Sequence, residues 1–254
     1  MTTPLLQIDG LTKRFGGVIA SDTITLDIPA GEFHAVIGPN GAGKSTLVAL
    51  LCGEIAPEDG SIGFDGADIT HLSADRRSRL GLARSFQITS LFPEFTALDN
   101  VALAVQAHAG HSFQFWKAAR DDPALREPAL EALAAVGLKA RADSRVDRLS
   151  HGEHRQLEIA VALASKPRLL LLDEPMAGLG PDETARMTAL LRTLKGTVTI
   201  LLIEHDMETV FALADRITVL VYGRVIASGD PKAIRADAAV REAYLGEQDA
   251  RADV

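Results

Sequence analysis

The fold of this chain is decided by residues 38–45, which read Gly38-Pro39-Asn40-Gly41-Ala42-Gly43-Lys44-Ser45. The run fits the pattern G-x-x-x-x-G-K-S/T, in which glycines let successive backbone N–H groups turn toward bound phosphates. It follows Phe33–Ile37, an apolar run that predicts a buried strand, and it leads into Lys44–Cys52, which predicts a helix. A chance glycine-rich turn is the alternative, but a strand, a loop and a helix stand here in the order that a phosphate-binding loop requires.

The loop predicts a nucleoside triphosphate ligand without specifying the reaction. The helix N-terminus adds the positive end of its dipole, and Lys44 supplies a point charge for the β- and γ-phosphates. The Ser45 hydroxyl stands where such loops ligate Mg²⁺. The predicted nucleotide-binding residues of this segment are Gly38, Pro39, Asn40, Gly41, Ala42, Gly43, Lys44, Ser45 and Thr46.

A second charged site follows the apolar run Leu169–Leu172, which leads directly into Asp173 and Glu174. The carboxyl ends of parallel strands line the ligand crevice of an α/β sheet, so both acids are expected beside the phosphate loop. Asp173 is then predicted to hold Mg²⁺ through water, and Glu174 to accept a proton from the attacking water as general base. The alternative for an isolated acidic pair is a solvated loop or a helix cap.

Composition bounds the other possibilities. The 254 residues are 47% hydrophobic and 24% charged, which fits one globular core or a core with a smaller lobe, and not a disordered or fibrous chain. The net charge of -8 and the lack of a dense Lys/Arg run argue against a nucleic-acid partner. The single cysteine, Cys52, fits a reducing compartment, and residues 1–10 do not resemble a secretory signal. The apolar runs are too short to span a bilayer, so a membrane role requires partners or surface docking.

Periodicity divides the chain into two kinds of segment. Alternating residues at Leu5–Asp9 and Thr23–Ile28 predict strands near the N-terminus. From about residue 98 to 163 the apolar spacing is helical, and afterwards strands and helices alternate, which predicts a parallel sheet with helices on its faces. The predicted helices are Leu98–Ala109, Pro123–Val136, Ser150–Ala164, Pro181–Leu194 and Asp206–Ala214, and the predicted later strands are Leu169–Leu172, Val198–Ile203 and Ile217–Val221.

Further residues, in the same order along the chain, resemble the ATP-binding cassette (ABC) family over residues 5–246. Gln87, after the predicted strand Leu82–Phe86, is similar to the family's Q-loop glutamine, and Phe15 stands where the family places an aromatic ring against adenine. Leu149-Ser150-His151-Gly152-Glu153 resembles the family signature LSGGQ. Ala177-Gly178-Leu179-Gly180 resembles the D-loop, and His205 is similar to the switch histidine.

The resemblance implies an α/β fold, a P-loop NTPase (RecA-like) core with a mixed sheet, an N-terminal antiparallel β subdomain and an inserted helical subdomain. One ABC ATPase domain then covers residues 1–254. Residues 1–87 and 165–254 form its nucleotide-binding core, and residues 88–164 form the helical signature subdomain. Two ATP molecules lie between two head-to-tail chains, with Ser150, Gly152 and Glu153 of one chain at the γ-phosphate held by the other. A signature segment that opens a helix can offer N–H donors to that phosphate.

The resemblance also implies a role for each motif residue. Glu174 is expected to activate water and His205 to orient that water against the γ-phosphate, with Lys44 and Gln87 completing the catalytic set. Phe15 is expected to stack on adenine, although a place in the core is the alternative. The implied cofactor set is ATP with Mg²⁺, and the implied metal ligands are Ser45, Gln87 and Asp173.

Three positions depart from the family pattern. Signature position three is His151 rather than Gly, position five is Glu153 rather than Gln, and the D-loop ends on Gly180 rather than Asp. Backbone donors survive the first two changes, so phosphate binding is expected to persist, whereas contacts across the dimer that need the D-loop carboxylate are in doubt. His151 and His154 lack a third ligand at metal-site spacing and are expected to face solvent or the partner chain.

Finer features resemble the ATPases of branched-chain amino acid importers. They are residues 83–87, 157–160, 173–179 and 244–246, and a long insertion between Gln106 and Pro128 that carries Phe113, Phe115 and Trp116. The insertion aromatics predict a satellite core more than a partner patch. The implied partners are membrane permease subunits, a second ABC ATPase (identical or paralogous) and, indirectly, a periplasmic solute-binding protein. The implied location is the cytoplasmic face of the inner membrane.

Other functions stay open at this point. Urea and amide importers and some lipid-exporting systems share the subgroup features. A non-transport ABC ATPase acting on DNA or the ribosome is a rival, but it would ordinarily bring a coiled-coil insertion or a second cassette. A P-loop kinase would leave the signature segment unexplained, and a regulatory module without hydrolysis conflicts with Glu174.

Overall fold

The computed structural model describes residues 3–85, 91–109 and 122–243. The strands in these ranges are β1 Leu6–Phe15, β2 Val18–Ile28, β3 Phe33–Ile37, β4 Asp59–Phe64, β5 Ala67–Asp68, β6 Leu82–Ser85, β7 Leu169–Asp173, β8 Thr199–Ile203, β9 Arg216–Val221 and β10 Arg224–Gly229. They form an antiparallel sheet in the order β2-β1-β4-β5 and a larger sheet in the order β10-β9-β3-β8-β7-β6.

The larger sheet is mixed, as predicted. Strands β9, β3, β8, β7 and β6 run parallel, and β10 is antiparallel to β9. Every residue of β3, β7 and β8 is buried, because both faces of a parallel sheet are covered. The α/β class predicted from the alternation of strands and helices is therefore confirmed.

Eight helices surround or extend this sheet in the described ranges. They are α1 Lys44–Cys52, α2 Ala74–Arg79, α3 Ala97–Ala109, α4 Pro123–Ala135, α5 His151–Leu163, α6 Pro181–Leu194, α7 Met207–Leu213 and α8 Pro231–Ala236. The long helices agree with the predicted ranges to within one or two residues. Helices α3, α4 and α5 lie between β6 and β7 in the chain, where the helical subdomain was expected, and its boundaries at 88 and 164 stay a prediction.

Two apolar clusters hold the layers together on opposite faces of the large sheet. Along β7, Leu170 and Leu172 pack with apolar residues of α3 to α6, whereas Leu169 and Leu171 pack with α1 and the antiparallel sheet. This division follows from the strand geometry, in which successive side chains point to opposite faces. The core thus joins the N-terminal sheet, the parallel sheet and the helices into one unit.

Several short or irregular elements were missed. Strands β4, β5 and β10 and helices α2 and α8 were not predicted, and β1 and β2 extend well beyond the predicted runs. Register shifts between Ile8 and Leu11, and again before Lys13, interrupt the two-residue alternation in β1. Helix α2 is strongly charged, yet its Arg77 is almost wholly buried, so its sequence did not resemble a packed helix. No helix in the described ranges is long and apolar enough to cross a membrane.

Candidate functional site

The carboxyl edge of the parallel sheet gathers the predicted site. Strand β8 lies between β3 and β7, and Ile203 of β8 pairs with Val36 of β3 on one side and with Asp173 of β7 on the other. The phosphate loop after β3, His205 after β8 and Glu174 after β7 consequently emerge at the same edge. Sheet order and register bring together three segments that are far apart in sequence.

The loop at residues 38–43 requires glycine at two of its positions. Gly43 has φ +100°, and a Cβ built on it would lie 2.2 Å from the carbonyl oxygen of Ala20 in β2. A Cβ on Gly38 would lie 2.1 Å from the carbonyl oxygen of Leu220 in β9. The loop is therefore wedged between backbone segments of both sheets, and only glycine permits these approaches.

Lys44 lies inside the curve of this loop. The residue is only 7% exposed, and its Nζ donates to the carbonyl oxygens of Gly38 at 2.5 Å and Pro39 at 2.9 Å. Helix α1 begins after Gly43 with no side chain capping its first turn, which leaves backbone N–H groups for an anion. Ser45 in that turn is exposed and Thr46 is half-buried. The arrangement suits a phosphate held by backbone donors and one ammonium group.

Asp173 is held by an arginine that the sequence motifs did not identify. The Asp173 residue is 4% exposed, and its Oδ2 accepts a hydrogen bond of 2.9 Å from Nη2 of Arg84 at the end of β6. Nη1 of the same guanidinium donates to Oε1 of Glu54 at 2.5 Å. Burial raises the pKa of Asp173 above its ordinary value, and the charge of Arg84 opposes that rise.

Glu174 and His205 face each other at the sheet edge. Glu174 has φ +49°, an uncommon conformation for a residue with a side chain, and its N–H donates to the carbonyl oxygen of Ile203 at 2.9 Å. Its Oε1 lies 3.8 Å from Nδ1 of His205. The Glu174 side chain is 32% exposed and that of His205 is 62% exposed, so both can reach a ligand at the surface.

Glu204, which the sequence motifs also did not identify, holds the backbone close to Glu174 and at His205. The residue is wholly buried, and its two carboxylate oxygens accept from the N–H of Met176 at 2.9 Å and of His205 at 3.1 Å. Burial raises its pKa, and the hydrogen bonds from those two N–H groups work against the rise. Glu204 thus ties the segment after β7 to the segment after β8.

The N-terminus of α5 carries the signature segment and is closed by a capping box. Ser150 is the N-cap: its Oγ accepts from Glu153 N–H, while Oε2 of Glu153 accepts from Ser150 N–H at 2.8 Å. Oε1 of Glu153 accepts from Nε of Arg141 at 3.0 Å. Partial burial acts to raise the pKa of Glu153, but the Ser150 hydrogen bond and Arg141 outweigh it, and the pKa is lowered.

Other predicted residues take these positions. Phe15 ends β1 at the hairpin turn and is 51% exposed, so it is not part of the core, and Nζ of Lys13 lies 5.5 Å from its ring centroid. Nε2 of His151 lies beside Gly178, and Nδ1 of His154 lies 2.8 Å from the carbonyl oxygen of Ser150. Gln87, the aromatics Phe113, Phe115 and Trp116, and residues 244–246 fall outside the described residues.

The oxygen donors near the phosphate loop suit Mg²⁺ bound to a nucleotide. The described residues contain no group of three or more His, Cys, Asp or Glu side chains that could hold a metal ion by themselves. A hydroxyl at Ser45 and a carboxylate at Asp173 are oxygen donors of the kind that Mg²⁺ takes together with water and substrate phosphates. The residues present therefore fit a nucleotide-bound Mg²⁺.

Fold and site together define a P-loop ATPase, with a phosphate loop, two acids and a histidine on one sheet edge. Residues 21–177, more than half of the chain, match the family model described as ABC transporter, and residues 224–250 match the model described as branched-chain amino acid ATP-binding cassette transporter. The chain belongs to the ABC transporter ATP-binding family. It is an ATP-hydrolysing subunit of that family.

Known proteins support this assignment over the whole length. The chain is 40% identical to the high-affinity branched-chain amino acid transport ATP-binding protein BraF of Pseudomonas aeruginosa, over 97% of this chain and 100% of BraF. It is 38% identical to LivG of Escherichia coli, which carries the same description, over the same shares. A solved ATP-binding cassette of an ABC transporter in its ADP conformation superposes with a TM-score of 0.85 at 29% identity, covering 96% of this chain and 100% of that one.

One solved structure similar to this chain is a dimer. The dimeric structure of an ATP-binding cassette in a post-hydrolysis state, bound to ADP and phosphate, superposes with a TM-score of 0.74 at 26% identity. It covers 89% of this chain and 98% of that one. The family models and the sequence relatives confirm the family resemblance drawn from the motifs.

Proposed function

We propose that this chain powers an importer of branched-chain amino acids by hydrolysing ATP in a head-to-tail dimer. The observation that carries the proposal is the common sheet edge, where the Lys44 loop, Asp173, Glu174 and His205 converge. The sequence identity to two branched-chain amino acid transport ATPases over their full lengths supports branched-chain amino acids as the cargo.

Each residue of the edge has one task in the proposed reaction. The loop amides and Lys44 bind the β- and γ-phosphates, and Glu174 takes the proton from a water aligned with the γ-phosphate. His205, 3.8 Å from Glu174, holds that water and the γ-phosphate in line. Ser45 and Asp173 would hold Mg²⁺, which when bound neutralises charge on the phosphates. Phe15, exposed at the turn between β1 and β2, stacks on adenine.

The site is completed by a second ATPase chain. Ser150 and Gly152 lie on the N-terminus of α5 and bind the γ-phosphate of the nucleotide held by the partner. Binding of two ATP molecules then favours the closed dimer over the open one, and hydrolysis reverses that preference. Cargo recognition belongs to permease subunits and a periplasmic solute-binding protein, with this chain on the cytoplasmic face of the inner membrane.

The permease contact is proposed for the groove between β6 and the helices α2, α3 and α5. A cavity of about 410 Å³ lies there, lined on its apolar side by Leu91, Ala104 and Val161 and on its charged side by Glu54 and Arg84. Its walls come from both the sheet and the helical segment, so an inserted permease element would feel their relative movement. Arg84 belongs to the same wall and also holds Asp173, which places the groove next to the nucleotide site.

The variant Glu174→Gln tests the catalytic assignment. It keeps the shape of the side chain but removes the base, so it should bind ATP, form a lasting dimer and lose phosphate release by about a hundredfold or more. Phosphate release without any acceptor substrate is measured for the wild type, for Glu174→Gln and for Glu208→Gln, an exposed acid on α7 that serves as control. Wild-type turnover in Glu174→Gln would reject the base assignment.

The same variant tests the cargo. Cells that lack the chromosomal copy receive the wild-type chain or Glu174→Gln, and uptake of labelled leucine and of labelled urea is followed. Leucine uptake restored by the wild type alone supports the proposal. Restoration of urea uptake alone would make the chain the ATPase of an amide importer, and restoration of neither would reject both cargoes.

A further inference from the structure

The signature helix is joined to the D-loop within one chain by a single carboxylate. Gly152 N–H, in the first turn of α5, donates to Oε1 of Glu183 at 3.2 Å. The other oxygen of the same carboxylate, Oε2, accepts from Gly180 N–H at 3.3 Å. Glu183 lies in the first turn of α6. Its carboxylate therefore accepts from the last residue of the D-loop and also from Gly152 N–H, which the proposed function assigns to the γ-phosphate of the ATP held by the partner.

The contact is close enough to restrict the sequence at residue 152. A Cβ built on Gly152 would lie 2.8 Å from Oε1 and 3.2 Å from Cδ of Glu183. Any larger residue there would push the carboxylate away from the helix. His151, one of the departures from the signature pattern, also lies against the D-loop, because its Nε2 lies 3.2 Å from the Cβ position of Gly178.

The charge of Glu183 is balanced by amides alone in the described part of the chain. Glu153, the other carboxylate at this helix end, has Arg141 at 3.0 Å, whereas no Lys or Arg in residues 3–85, 91–109 or 122–243 forms an ion pair with Glu183. A carboxylate held only by two N–H groups is readily exchanged for another anion, since both donors suit phosphate equally well.

We propose that Glu183 is a positioning residue of the composite site, which occupies Gly152 N–H in the free chain and gives it up to the γ-phosphate of the ATP held by the partner. The proposal rests on the head-to-tail arrangement of the proposed function. Two anions cannot share one N–H donor, so closure of the dimer moves the Glu183 carboxylate. Because that carboxylate also holds Gly180, its movement shifts the end of the D-loop when ATP is sandwiched.

The charge of Glu183 therefore opposes ATP-driven closure. Glu183→Gln keeps the length of the side chain and one acceptor oxygen but removes the negative charge beside the incoming phosphate. In the Glu174→Gln background, where the dimer persists, this change should lower the ATP concentration at half-dimerisation about threefold to tenfold. ATP affinity of the monomer should stay unchanged, since its own phosphate loop is intact.

The test is light scattering of the double variants across an ATP titration, with fluorescent-nucleotide binding by the monomers alongside. Asp182→Asn is the matched control, because Asp182 is an exposed acid one residue away in the same turn and has no bond to Gly152. A lower midpoint in Glu183→Gln, with no change in Asp182→Asn, supports the inference. Equal midpoints, an equal shift in Asp182→Asn, or a shift in monomer affinity would overturn it. If Glu174→Gln and its two double variants all formed no ATP-dependent dimer, the composite site and this inference would both be rejected.

Discussion

Arg84 connects the predicted Mg²⁺ carboxylate to the first half of the chain. Its guanidinium joins Asp173, which is nearly buried, to Glu54, two residues beyond the end of α1, and its side chain is 14% exposed. Removing one partner of a buried ion pair leaves the other charge without compensation, and that costs far more than losing a pair in solvent. Arg84 is thus expected to contribute to folding as well as to the nucleotide site.

We predict that Arg84→Met lowers the free energy of unfolding by about 3 kcal/mol. Arg168→Met is the control, because it removes an exposed ion pair with Asp65 and should cost less than about 1 kcal/mol. Urea denaturation measures both. Equal losses in the two variants would show that the Arg84 bridge is no more stabilising than a surface pair.

The pH dependence of that loss has a definite sign. Burial already raises the pKa of Asp173, and removal of Arg84 leaves burial unopposed, so the folded-state pKa should rise further. A carboxyl with a raised folded-state pKa costs stability above that pKa and costs nothing below its unfolded pKa. The difference between Arg84→Met and wild type should therefore shrink as pH falls toward the ordinary range of aspartate.

At the residue scale, sequence reasoning found groups that belong to contiguous motifs. Lys44 and the pair Asp173 and Glu174 stand in runs whose spacing indicates their chemistry, and the structure brings them to one edge. Arg84 and Glu183 could not be found in this way, because their partners lie 89 and 31 residues away in the chain. Such contacts depend on sheet order and helix packing, which a local pattern does not specify.

The phosphate loop is the element on which the site depends most. Its shape is set by contact with β2 and with the turn between β9 and β10, where Gly223 N–H donates to the carbonyl oxygen of Ala42 at 2.9 Å. The loop therefore has support from both sheets and is expected to keep its curvature without a ligand. Substitutions inside it should differ according to the space around each glycine.

We predict that Gly43→Ala destabilises the chain by about 2–3 kcal/mol and abolishes ATP binding, since its Cβ would meet the Ala20 carbonyl at 2.2 Å with φ at +100°. Gly41→Ala is the matched control in the same loop. It also has a positive φ, +76°, but nothing lies within 4 Å of its Cβ position, so it should cost about 1 kcal/mol. Thermal unfolding and fluorescent-nucleotide binding compare them, and equal effects would contradict the close-packing argument.

At the element scale, long apolar or strongly periodic segments were predicted and short charged ones were not. Helix α1 was predicted at Lys44–Cys52 because a helical run follows the phosphate loop, and the structure has a glycine at each of its ends. Helix α2 was missed because Arg77 is buried by donating to the backbone carbonyls of Leu50, Leu51 and Thr70, an arrangement that only the folded chain provides. A buried arginine satisfied in this way looks like a solvated residue in the sequence.

At the scale of the whole molecule, the proposed function assigns two half-sites to one chain. The phosphate loop and Glu174 lie on the sheet edge, while Ser150 and Gly152 open α5 in the helical segment. Sequence reasoning reached this division through the family resemblance. The central claim is that the signature segment of one chain completes the binding site of the nucleotide held by the other chain.

The most direct measurement mixes two inactive variants. Lys44→Ala removes the phosphate-loop half, and Ser150→Phe blocks the signature half, so each variant alone should release almost no phosphate. In a mixed dimer, the intact loop of the Ser150→Phe chain meets the intact signature of the Lys44→Ala chain. If dimers form at random, the equal mixture should recover about a quarter of wild-type phosphate release, since half the dimers are mixed and each keeps one of two sites. Phosphate release that stays at the level of the separate variants would contradict the head-to-tail site.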